Sequence, residues 1–150
     1  MYAFVDRPIG RLDAGGRFLI WSMRFWVRAM MRSSCPRTEI GDAFVERDME
    51  DAVAHFDMLM HILNRHARDN MGFGPIPCRR VHEGEALVLA LLARTQHEPA
   101  MRTRQTLTMM VEDGWVEPLI VALSALSTRL ASVGLLPQAP DGEALRTGDE

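Results

Sequence analysis

Residues 17–36 read RFLIWSMRFWVRAMMRSSCP, and this stretch constrains the fold more than any other. On a wheel of about 100° per residue, Arg17, Trp21, Arg24, Arg28 and Arg32 fall within one narrow sector. Phe18, Leu19, Ile20, Phe25, Trp26, Val27 and Met30 occupy the remaining two-thirds. A helix that is apolar over most of its circumference needs neighbours on several sides, so it is expected at the centre of a helical bundle. A helix lying in a membrane interface carries a broader polar face. Charges also break each apolar run well short of the roughly 18–20 residues that span a bilayer.

The rest of the chain divides at its prolines and glycines. Helices are expected at about 16–33, 38–45, 49–69, 83–96, 99–114 and 118–134. Pro36 closes the first, Thr38 serves as N-cap of the second, and Pro99 and Pro118 stand at the first position of the last two. Phe56, Leu59, Met60, Leu63 and Ala67 share one face of the third. Glu83 and Glu85 lie in the first turn of the fourth, where the helix dipole favours acid. The run ALVLALLA (86–93) has no polar side, and the sixth helix carries only Arg129 as a charge beyond Pro118. No alternating pattern of strand length appears. The prediction is an all-α, single-domain bundle of five to six helices, with the first, fourth and sixth largely buried. Residues 1–15 are expected to form a loose arm, 16–136 the bundle, and 137–150 a disordered acidic tail.

Composition limits the chemistry. A chain of 150 residues with 47% hydrophobic and 25% charged residues is long enough for one globular core. The net charge of −3 gives no overall attraction to phosphate backbones, so any nucleic-acid role rests on a local patch. All 17 basic residues are arginine, which rules out Schiff-base, general-base and Walker-type lysines. Asp6, Arg7 and Pro8 interrupt any signal-peptide core, so the expected location is cytoplasmic and the two cysteines are expected to be reduced.

No Ser-His-Asp order, GxSxG elbow or Gly-rich phosphate loop is present, and the chain is not expected to be an enzyme. Three features stand out instead. The first is the Arg17, Trp21, Arg24, Arg28 and Arg32 row. It reads either as a solvated face or as a surface for a protein partner, and more remotely as a nucleic-acid contact. The second is the loop GFGPIPCRR (72–80), which delivers Arg79 and Arg80 just ahead of a helix N-terminus. It reads as a stiff connector or as an anion-binding loop. The third is Cys78-x3-His82, a spacing that two ligands of one metal ion can adopt, with Cys35 as a third. No CxxC or HExxH accompanies it, so no cofactor is expected beyond a possible metal ion.

The segments DAGGRFLIWSMRFWVRA (13–29), CP at 35–36, and PIPCRRV followed by EGEALVLALLA resemble short hypothetical proteins of alphaproteobacteria, over residues 13–133. That resemblance implies a helical cytoplasmic protein and carries no activity with it. The leading expectation is a non-enzymatic module that binds a protein partner or itself. The alternatives are a metal- or redox-responsive protein using Cys35, Cys78 and His82, and nucleic-acid binding through the arginine row.

Overall fold

Asp13 starts the first helix. Its carboxylate accepts from the Gly16 N–H at 2.8 Å, so α1 runs Ala14–Met31, two residues earlier than its apolar pattern suggests. The computed structural model describes residues 3–139 and shows five further helices. These are α2 (Pro36–Glu46), α3 (Val53–Arg65), α4 (Glu83–Thr95), α5 (Ala100–Met110) and α6 (Val116–Ser132). The all-α prediction holds. Among the described residues there is no strand, only two isolated antiparallel bridges, Pro8 with Arg80 and Ala67 with Val111.

Several boundaries differ for local reasons. Pro36 opens α2 rather than only closing α1, with Cys35 rather than Thr38 as its N-cap. The third helix is shorter than expected at both ends. A 3-10 turn at Glu50–Ala52 precedes it, and beyond His66 the backbone turns away to pair with the segment after α5. There Arg68 N–H donates to Met110 O at 2.8 Å, and Glu112 N–H to His66 O at 2.9 Å. Pro118 sits inside the first turn of α6, where its missing N–H costs nothing. Gly134, with φ of 75°, ends that helix in the left-handed region as a glycine can.

α6 packs against α3, α4 and α5, while α1 packs against α2, α3 and α4. Trp26, Met23, Phe56, Leu89, Leu92 and Leu123 meet in one continuous core. Trp26 is fully buried, its Nε1–H donates to Asp57 Oδ1 at 2.8 Å, and His61 stands edge-on to its ring at 5.0 Å. On α3 the buried face is Phe56, Leu59, Met60, Ile62 and Leu63, and Ala67 falls beyond the helix.

The expectation of a loose N-terminal arm is corrected for the part that is described. Phe4 and Leu12 are buried in the core. Asp6 N–H donates to Val81 O at 2.9 Å, Val81 N–H to Arg7 O at 3.0 Å, and Ile9 N–H to Arg79 O at 2.8 Å. Pro8 and the glycines imply irregular backbone, but irregular backbone with two large apolar side chains still gains by docking. The expected tail 137–150 is corrected at its start, where Pro137 is buried and Gln138 is bonded to the chain, while residues 140–150 lie outside the described residues.

The chain returns to its start after α6. Gln138 N–H donates to the second carboxylate oxygen of Asp13 at 2.9 Å, and Leu135 crosses directly over Gly15. A methyl group on Gly15 would run into the Leu135 carbonyl. Helix propensity alone makes Gly15→Ala stabilising by up to about 1 kcal/mol. The backbone collision reverses that sign, and a net loss of about 1–3 kcal/mol is expected in urea unfolding. A gain in stability would show that residues 135–138 do not lie against α1.

Candidate functional site

The arginine row of α1 is divided along its length. Arg24 is buried, and its guanidinium forms a two-point pair with Glu85 of α4, Nε to Oε2 at 2.8 Å and Nη2 to Oε1 at 2.9 Å. Its remaining reach goes to backbone: Nη1 donates to Cys78 O, and Nη2 also to Arg80 O at 2.8 Å. Glu85 is fully buried and accepts two further bonds, from Gly74 N–H at 2.9 Å and His82 N–H at 2.8 Å. Each carboxylate oxygen thus accepts twice, which fills the four acceptor positions of a carboxylate. The pair grips the loop 72–82 from both sides and holds it across α1. Arg24 is therefore corrected as a partner-binding residue: it binds its own chain.

The rest of the row faces outward. Trp21 is 37% exposed and lies against Phe25, ring centroids 4.6 Å apart. The Arg28 guanidinium carbon sits 4.4 Å from the centre of the Phe25 ring. Arg28 Nε is buried beneath the surface without a hydrogen-bond partner among the described residues. Arg17 and Arg32 are exposed at the two ends, about 22 Å apart along the axis, with Arg17 Nη1 donating to Leu12 O at 2.6 Å. None of Arg17, Arg28 and Arg32 forms an ion pair among the described residues. Beside Trp21 runs a cleft of about 420 Å³ between α1 and α2, lined by Arg17, Phe18, Ala43, Arg47 and Leu135 together with one acid, Glu46.

Phe25 is the residue that the sequence assigns elsewhere. Its place four residues after Trp21 and three before Arg28 makes it a neighbour of both on a helix surface, and that spacing is the signal.

The backbone N–H groups expected to hold an anion beside Arg79 and Arg80 are taken up within the chain. Arg80 Nη1 donates to Asp6 O at 2.9 Å, and the Arg79 carbonyl is engaged by the N-terminal arm. At the start of α4, Gly84 N–H donates to Gly72 O at 2.7 Å. The carboxylate that the loop's N–H groups favour is already supplied from within, by Glu85.

The sulfur candidates divide in the same way. His82 Nε2 and Cys78 Sγ are 3.3 Å apart, as the Cys-x3-His spacing suggests. Cys35 does not join them. It stands exposed at the start of α2, where the Thr38 hydroxyl and backbone N–H hold its thiol below the ordinary value. Both cysteines are free, and no group of three or more His, Cys, Asp or Glu side chains suited to a metal forms among the described residues. The metal set of Cys35, Cys78 and His82 is corrected to a two-residue pair, short of the four ligands of a closed zinc site.

No helix among the described residues is long and apolar enough to cross a membrane. Comparison with family models, with curated proteins and with solved structures finds no match.

Proposed function

We propose that the chain is a non-enzymatic binding module whose outward α1 face, Trp21, Phe25 and Arg28 flanked by Arg17 and Arg32, recognises an acidic segment of a partner protein. The observation that carries this reading is the Trp21–Phe25–Arg28 stack. It sets a half-exposed indole and a guanidinium with no acid partner among the described residues against the same Phe25 ring, beside a cleft that can take a side chain. Tryptophan and arginine dominate the residues that anchor protein interfaces. The three guanidiniums, which form no ion pair among the described residues, select carboxylates, and the packed aromatic pair rewards an apolar side chain laid over it.

A nucleic-acid reading is weaker. The net charge of −3 repels a phosphate backbone everywhere except along this row, and burial of Arg24 removes its middle charge.

Selection from a random peptide display library tests the proposal without a known partner. Peptides with two or more carboxylates beside a large apolar residue should be enriched. Trp21→Ala or Arg28→Gln should weaken them by at least about tenfold, with little change in melting temperature. Enrichment of no such class, or peptides that bind the Trp21→Ala protein equally well, contradicts the reading. So does salt-sensitive binding to duplex DNA at micromolar concentration that exceeds peptide binding.

A further inference from the structure

The turn held by Arg24 also carries a nucleophile beside a base. Cys78 is free and partly exposed, its Sγ lies 3.3 Å from His82 Nε2, and the Arg80 carbonyl is 3.7 Å from the same sulfur. Both partners are fixed by the buried ion pair. The Cys78 carbonyl is held by Arg24, and the His82 backbone N–H by Glu85. The Cys78 N–H is fixed as well, donating to Pro75 O at 3.0 Å. A thiol and an imidazole held in contact by a rigid frame form the usual unit of an activated cysteine.

We propose that Cys78, assisted by His82, exchanges with small disulfides of the glutathione type, and that the resulting adduct loosens the turn from Arg24. In the step, His82 Nε2 takes the proton from Cys78 Sγ, and the sulfur attacks one sulfur of the disulfide. The S–S bond of the reagent breaks as the new Cys78–S bond forms. The departing half leaves as a thiolate and receives the proton from the imidazolium, so that Cys78 is oxidised and one half of the reagent is reduced. The adduct is crowded on its inner side, against the His82 ring, while the turn itself is exposed. A methyl group on Gly74 would fall 2.6 Å from His82 Cδ2, so the ring has no room to retreat on that side. An adduct pressing on that ring displaces the turn that carries the Cys78 and Arg80 carbonyls, two of the acceptors that Arg24 uses.

Cys35 supplies the internal contrast, being exposed and without an imidazole partner among the described residues. In the Cys35→Ser protein, the rate of reaction with oxidised glutathione should exceed that of N-acetylcysteine amide by at least about tenfold at the same pH. His82→Asn and His82→Gln should each remove that excess. The adduct on Cys78 should melt several degrees below the reduced protein, whereas the adduct on Cys35 in the Cys78→Ser protein should not. A Cys78 rate no greater than that of the small thiol, or unchanged by both His82 variants, overturns the activated thiol. An adduct that leaves the melting temperature unchanged overturns its link to Arg24.

Discussion

Glu85→Ala is expected to lower the free energy of unfolding by about 3–5 kcal/mol, read from urea unfolding curves. The change leaves the Arg24 guanidinium charged, buried and without its carboxylate. It also strips Gly74 N–H and His82 N–H of their acceptors. In an ordinary buried pair, replacing both partners by apolar residues of similar size restores most of the loss. That recovery is not expected here. In Arg24→Met with Glu85→Leu, four backbone groups lose partners: two N–H groups and the carbonyls of Cys78 and Arg80. Each group costs about 1–3 kcal/mol if it stays buried, so the turn either swings out to water or strains the fold. A double variant as stable as the wild type would show that the pair holds nothing but itself.

Trp26→Ala is the second large effect, an expected loss of about 3–5 kcal/mol. The indole is fully buried between α1 and α3, and its removal leaves a void and takes the shortest partner from Asp57, whose Oδ1 keeps His61 Nε2 at 3.5 Å. Trp26→Phe separates the two contributions. It keeps most of the volume and loses the hydrogen bond to Asp57, so a smaller cost of about 1–2 kcal/mol is expected. A loss below about 1 kcal/mol for the alanine variant belongs to surface positions and would place this face of α1 outside the core.

The two residues show how far the sequence carries. Trp26 lies in the middle of the apolar sector of α1, and periodicity alone puts it inside. Arg24 lies at the edge of the polar sector, next to Ile20 on the wheel, and periodicity puts it outside. What buries it is a loop whose path depends on Glu85, 61 residues further along the chain. Glu85 also reads plausibly as an acid in a first helical turn, so local chemistry explains it without the pair. The same limit applies to the ends of α3 and to the arm. His66–Arg68 and Asp6–Ile9 leave regular structure because they pair with residues 110–112 and 79–81, and a window of a dozen residues contains no trace of either partner. The helix count, the apolar character of α4 and α6, and the stop at Gly134 are all local properties, and all were legible.

The site was legible in its residue types and not in its division. Trp21, Arg17, Arg28 and Arg32 stand on the outward face as the wheel places them, and Cys78 meets His82 as its spacing allows. The spacing makes Phe25 their neighbour, but it does not say whether the ring lies outside, because an aromatic beside a tryptophan and an arginine is equally suited to a core.

One row of arginines is divided in two, with Arg24 holding the fold together through Glu85 and Arg28 lying outside the core over Phe25. Urea unfolding of Arg24→Gln and Arg28→Gln, run side by side, tests it most directly. A loss of about 3–5 kcal/mol is predicted for Arg24→Gln, because Glu85 becomes a buried charge without its cation, and a change within about 1 kcal/mol for Arg28→Gln. Equal, small changes in both would mean that Arg24 is solvated like its neighbours, and the division of the row would be wrong.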